Sequence, residues 1–166
     1  MSKAWDSAID RAAKNIPICA NQDPLFTLAH DGDEVTLVIL GDPYSYEMTY
    51  DEGRHHTKLY TIEPKPRGSK FVVRIAINVA VYSTKTVMVL DSSPPLFKEI
   101  IAVRNKYGLD KWAFVVSRRY GTPDQTLAMH TSYSALPEHQ LTDAERAEFV
   151  SLPLHNLQKV VEEHYR

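Results

Sequence analysis

Three residues able to contact a nucleic acid recur at every fourth position: Arg74, Asn78 and Tyr82. They lie within residues 70–82, where alternating apolar residues predict a β-strand. Residues four apart share one face of a strand, so the three side chains lie on the same side, separated by alanines. A cation neutralises phosphate, an amide hydrogen-bonds a base or sugar, and a ring stacks on a base. The spacing predicts a face for single-stranded nucleic acid; the alternative is an ordinary outward strand face.

Tyrosines cluster in the segment that precedes this strand. Tyr44, Tyr46 and Tyr50 share one side of an extended stretch, and Tyr60 follows in a segment rich in charge and proline. Stacking a base on an aromatic ring contributes about 1–3 kcal/mol and tolerates any base. We expect two of these four rings to stack on bases and the others to pack at the rim of the domain.

Further cations flank the same strand. Those expected to contact phosphate, besides Arg74, are Lys58, Arg67, Lys70, Lys85, Arg118 and Arg119. The two arginines at 118 and 119 are adjacent on a predicted strand, so at least one of them faces outward. The first three cations belong to a segment that could close over a bound strand; a solvated hairpin is the alternative.

The charge of the chain is unevenly distributed. Residues 54–119 contain 13 basic and 4 acidic residues, whereas the rest of the chain contains 6 basic and 17 acidic residues. A basic middle between acidic ends favours a polyanionic partner over a neutral one.

Several classes of protein do not fit the sequence. A length of 166 residues suits one domain. Cys19 is the only cysteine, and the adjacent His55 and His56 lack a third ligand, so neither a disulfide nor a metal site is expected. No activated nucleophile or glycine-rich phosphate loop stands out, so we expect neither an enzyme nor a cofactor. No apolar run reaches the roughly 20 residues of a membrane span, and residues 1–14 contain no apolar signal core. Both observations predict a cytoplasmic protein without membrane contact.

The predicted elements alternate in a recognisable order. A short N-terminal helix and loop occupy 1–33, strands alternate with one helix over 34–137, and short helices fill 138–166, the first opened by a Thr142–Glu145 capping box. The central helix runs from Pro94 to a stop at Gly108 and lies between the third and fourth strands. This mainly β order predicts a five-stranded oligonucleotide-binding (OB) barrel, although a small sheet-plus-helix fold also fits.

The stretch from about Gly32 to Asp143 resembles a known family, the helix-destabilising single-stranded-DNA-binding proteins of tailed bacteriophages. The matching pieces, in order, are GDEV (32–35), ILGDPY (39–44), VRIAINV (73–79), VMVL (87–90), PLFKEI (95–100), VVSRRYG (115–121), ALP (135–137) and LTD (141–143). Some members carry a zinc knuckle, which the single cysteine does not support. Members usually end in a flexible acidic tail, whereas this chain ends in predicted helices.

The resemblance and the residues together imply sequence-tolerant binding of single-stranded DNA. Such a protein would coat and protect DNA during phage replication, recombination or repair, in the cytoplasm of the host. Replication or recombination proteins would be its partners, and it could self-associate along DNA. The alternatives are a protein-interaction module built on the same barrel and an RNA-binding protein, which would need contacts to the 2′-hydroxyl.

Overall fold

The computed structural model describes residues 23–51, 56–59, 70–121 and 130–165. Seven strands and three helices follow one another along this part of the chain. The strands are β1 (Leu25–Phe26), β2 (Glu34–Asp51), β3 (His56–Leu59), β4 (Lys70–Val81), β5 (Val87–Ser92), β6 (Trp112–Gly121) and β7 (His130–Gln140). The helices are α1 (Pro94–Tyr107), between β5 and β6, and α2 (Asp143–Val150) and α3 (Leu157–His164) after β7.

The strands form one open, mixed sheet in the order β1-β5-β4-β2-β6-β7, and β3 pairs with β2 beside this path. All pairings are antiparallel except that of β1 with β5. The long strand β2 bends between Leu40 and Tyr44, where its register with β4 shifts. Before the bend β2 pairs with both β4 and β6, and after it with β4 and β3.

One face of the sheet packs against α1 and forms the main core. The residues of β4 predicted to face this core do so from Ile75 to Val81, but Val73 is 38% exposed. Leu96, Ile100 and Val103 of α1 are buried against them. Ser93 and Gly108 stand at the ends of α1 as predicted, although the Ser93 side chain makes no capping hydrogen bond.

The other face of the sheet is covered by the two C-terminal helices. Phe149 of α2 belongs to one apolar cluster with Val38, Ala80 and Ala113, and Val161 of α3 belongs to another around Ala76. The predicted capping box at the start of α2 is present, since Thr142 and Glu145 bond each other's backbone N–H groups. The sheet therefore lies between α1 and the α2–α3 pair, and both of its faces are apolar over much of their area.

The mainly β class and the helix between β5 and β6 agree with the sequence prediction. A closed barrel is not what the described strands form, because their sheet ends at β1 and β7. The predicted end of the last strand at Leu136–Pro137 is wrong: β7 continues to Gln140, and Pro137 stands opposite Phe114 beside a register shift. Among the described residues, no helix has the length and hydropathy to cross a bilayer.

Candidate nucleic-acid interface

The register of three strands brings many of the predicted binding residues together. We call residues 44–51 of β2, 56–59 of β3 and 70–76 of β4 the ribbon. Within it Tyr46 stands opposite Arg74 and Tyr50 opposite Lys70. Tyr44 stands opposite Ala76, and Lys58 stands opposite Thr49 on the outer strand. The ribbon therefore carries three of the four predicted tyrosines and three of the predicted cations.

A buried carboxylate holds the Arg74 side chain in place. Asp91 on β5 is 2% exposed, and its Oδ2 lies 3.1 Å from Nη2 of Arg74. Arg74 Nε also donates to Asp91 Oδ1 at 3.2 Å, and the Tyr46 hydroxyl donates to the same oxygen at 2.6 Å. From the C-terminal end of the chain, the Tyr165 hydroxyl donates to Asp91 Oδ2 at 2.7 Å. We call these four residues the Asp91 cluster.

Both phenols of the Asp91 cluster stay protonated at any ordinary pH. Burial, and then the hydrogen bond to Asp91, raises the pKa of Tyr46 far above its usual value of 10. The same two causes raise the pKa of Tyr165 to about 12. Each hydroxyl is thus a constant hydrogen-bond donor to the Asp91 carboxylate.

Part of the ribbon remains open to solvent. Tyr44 is half-buried and stacks on the buried Tyr46 at 6.1 Å between ring centroids, with 14° between the rings. The Arg74 side chain is 23% exposed, and Val72 is 45% exposed. An aromatic ring, a guanidinium and an apolar side chain therefore share this open part, and a flexible polyanion could contact all three.

The Asn78 end of the predicted binding face lies beneath the C-terminal segment. Asn78 is 3% exposed, its amide nitrogen donates to the His155 carbonyl at 3.1 Å, and its amide oxygen accepts from the His155 N–H at 2.9 Å. The Tyr82 hydroxyl donates to Glu145 Oε2 at 2.5 Å. Lys85 forms an ion pair with Glu148 at 2.8 Å. These three predicted contacts to a nucleic acid are occupied by protein partners, and their role in binding stays a prediction.

The arginines at the end of β6 differ in their surroundings. Arg118 is partly buried and donates to the Leu28 carbonyl at 3.1 Å. Arg119 is the one that faces outward, with 67% of its side chain exposed, and it lies 4.0 Å from Glu34. The Asp31 carboxylate caps the Tyr120 N–H nearby. Arg119 is more exposed than Arg74 and lies farther from its carboxylate neighbour, so its contact with phosphate stays a prediction beside that of the ribbon.

Not every predicted residue can be placed to the same extent. Tyr60 and Arg67 lie outside the described residues. For Tyr50, Lys58 and Lys70 the structure gives the strand and the register alone.

Sequence reasoning missed the residues that hold the predicted ones. Asp91 could have been found, because it is a lone acidic residue at the end of an apolar strand. A carboxylate that is buried there needs a charged or hydrogen-bonding partner. Tyr165, just after α3, and Glu145, on α2, gave no such signal, because they lie 74 and 63 residues away from their partners Asp91 and Tyr82.

The hydrogen bonds to the Glu145 carboxylate make the stability of the fold depend on pH. Its pKa is lowered to about 2, first by the hydrogen bond from Tyr82 and then by those from the Thr142 N–H and His139. Between that value and the ordinary value of 4.5 the unfolded chain binds more protons, so stability rises with pH in this window. The stabilisation is complete above about pH 4.5 and is lost as pH falls towards 2.

We therefore expect Glu145→Gln to destabilise the protein near neutral pH and to have a shrinking effect below pH 4.5, since glutamine keeps the cap but not the charge. Urea denaturation of both proteins from pH 7 to pH 3 measures this difference. Glu163→Gln, an exposed acid on α3, is the matched control and should give a small difference that stays flat with pH. If the difference in unfolding free energy between Glu145→Gln and the unmodified protein were also independent of pH, the pairing of Glu145 would be contradicted.

Within the part of the chain that the structure describes, no group of three or more acidic, histidine or cysteine side chains could hold a metal ion. Comparison with protein-family models, curated proteins and solved structures finds no match for this chain.

Proposed function

We propose that this chain binds single-stranded DNA on the ribbon, through an oligonucleotide-binding fold that is left partly open. The observation that carries the proposal is the pairing of the bent strand β2 with both β4 and β6. Setting aside β1 and β3, the five strands β2, β4, β5, β6 and β7 with α1 between the third and fourth have the order of that fold, which can be partly open. Fold alone does not define function, so the proposal rests equally on the residues of the ribbon.

The ribbon offers the two interactions that sequence-tolerant binding needs. Tyr44 presents a partly exposed ring, held by its stacking on Tyr46, and a base can stack on it. Arg74 presents a guanidinium that the Asp91 cluster orients, and it can contact a phosphate with the part that remains exposed. Lys58 and Lys70 belong to strands of the same ribbon and add positive charge along the path.

The α2–α3 pair limits how far a bound strand can extend. Phe149 and Val161 are each no more than 1% exposed, so lifting the helices would expose two apolar clusters. We therefore assign the DNA path to the ribbon rather than to the covered surface around Asn78. On this assignment the C-terminal helices form a wall of the site.

A titration with labelled oligo-dT tests the proposal. We expect binding in dilute buffer whose affinity falls with salt, with a logarithmic slope of about −0.7 for each phosphate neutralised. Tyr44→Ala should weaken binding about 5- to 100-fold, the loss of one stacked base, while leaving the fold intact. Tyr120→Ala is the control, because Tyr120 is a 50% exposed tyrosine at the far end of β6.

The outcomes separate the alternatives. No binding of oligo-dT at low salt would contradict the function and favour a protein-interaction module. Preference for oligo-U in competition would instead point to RNA. Binding that is lost in Tyr120→Ala and kept in Tyr44→Ala would contradict the ribbon as the site.

A further inference from the structure

Two clefts lined mainly by apolar side chains lie on either side of the bend in β2, and Ile39 and Gly41 line both of them. The first has a volume of about 230 Å³ and lies between the bend and α1, with Ile77, Phe97 and Ile100 in its walls. The second has a volume of about 270 Å³ and lies between the bend and α2. We call the two clefts together the Gly41 groove.

The absence of a side chain at Gly41 helps to keep this groove open. The residue has φ +66°, a conformation that favours glycine, and a Cβ atom there would lie 3.0 Å from Cδ1 of Leu154. Val150 and Leu154 both line the second cleft, and they are 77% and 50% exposed. An apolar cavity with exposed apolar side chains at its edge is a surface that a protein partner can cover.

The groove carries charged side chains of both signs. Arg104 on α1 and Asp42 at the bend both line the first cleft and are exposed. Neither side chain forms an ion pair or hydrogen bond with any other residue in the described part of the chain. In the second cleft Arg146 and Asp110 are paired at 3.1 Å. The groove thus carries both signs in equal number, which suits a surface of the same kind better than a uniformly acidic or basic one.

We propose that the Gly41 groove binds a second copy of this chain across a two-fold axis. In such a contact the same patch serves both copies, and each residue pair occurs twice. Arg104 of each copy then faces Asp42 of the other, and Val150 and Leu154 of each copy cover the apolar clefts of the other. One contact would then account both for the exposed apolar side chains and for the two charges that have no partner among the described residues.

We expect this dimer to be concentration-dependent, with a dissociation constant in the micromolar range. Sedimentation velocity on the full-length protein without DNA, over a range of protein concentrations, measures it. The absence of DNA makes the result independent of the proposed function.

A charge swap tests which residues meet. Arg104→Asp and Asp42→Arg should each raise the dissociation constant at least about tenfold, because each places like charges opposite one another. The double variant should return to within a few-fold of the unmodified protein. Lys98→Asp makes the same charge change at an exposed position on α1 that lines neither cleft, and should leave the dimer unchanged. Val150→Ser removes an exposed apolar side chain and should also weaken the dimer without unfolding the monomer.

Each remaining outcome overturns the inference. A protein that is monomeric at every concentration has no such interface. If neither single variant changes the dissociation constant, the dimer forms through another surface. A dimer that the single variants weaken and the double variant does not restore lacks the reciprocal Arg104–Asp42 contact.

Discussion

Phe149→Ala is expected to lower the free energy of unfolding by about 3–5 kcal/mol, the usual cost of truncating a fully buried phenylalanine. Phe149 is 1% exposed and packs in one cluster with Val38, Leu40 and Ala80 on the sheet face opposite α1. Its helix α2 has eight residues, too few to be stable without packing. Loss of the ring should therefore loosen the helix as well as leave a cavity. Chemical denaturation measures the change.

Val150→Ala is the matched control for this substitution. Val150 is the next residue on the same helix and is 77% exposed, so the change should stay within about 0.5 kcal/mol in the monomer. A loss below about 1 kcal/mol for Phe149→Ala would mean that α2 is a loosely attached tail. The assignment of the DNA path to the ribbon would then lose its main support, because the surface around Asn78 would be accessible.

Arg74→Met is expected to cost about 3 kcal/mol or more, the typical effect of leaving one buried charge without its partner. The Asp91 carboxylate would keep the hydroxyls of Tyr46 and Tyr165 but lose the cation that compensates its charge. Asp91 is 2% exposed, so water cannot replace the guanidinium at low cost. Denaturation curves of the single variants and of Arg74→Met with Asp91→Asn give the coupling between the two residues.

Lys85→Met provides the comparison with an exposed ion pair. The Lys85 and Glu148 side chains are 45% and 50% exposed, so their pairing should contribute less than about 1 kcal/mol. If Arg74→Met and Lys85→Met were equally mild, the Asp91 cluster would not anchor the C-terminal end of the chain. If the loss of stability in the double variant equalled the sum of the losses in Arg74→Met and Asp91→Asn, the two residues would not be energetically coupled.

These expectations also bear on how DNA binding is tested. Arg74 both anchors the fold and lines the ribbon, so its removal would reduce binding through stability as well as through lost contact. Tyr44 stacks on a neighbour and makes no buried hydrogen bond in the described structure, so its replacement reports on binding more directly. For this reason Tyr44→Ala is the primary variant of the titration.

Local patterns in the chain were enough to predict many of its elements. The strict alternation of β4 predicts a strand with one core face, and Ile75 to Val81 confirm it. The capping box at Thr142 and the glycine at 108 predict where helices start and stop, because these signals depend on backbone groups a few residues apart. The bend at Gly41 is similarly local, since it needs a residue that tolerates positive φ.

What covers the second face of the sheet was decided by tertiary structure. Alternation shows that Arg74, Asn78 and Tyr82 share a face, but it does not indicate which segments of the chain pack on that face. That depends on the contacts of Tyr82 with Glu145 and of Asn78 with His155, 63 and 77 residues away, and on the contact of Tyr165 with Asp91, the partner of Arg74. It also depends on apolar residues in short helices, whose burial only packing reveals. Whether β1 and β7 meet depends on how strongly the whole sheet curves. No single residue type indicates that curvature, so the sequence could not predict that the sheet stays open. Residue spacing is a local property, and it was enough to predict the strands and the helix caps. The environment of each polar side chain depends instead on which distant segments of the chain pack against it.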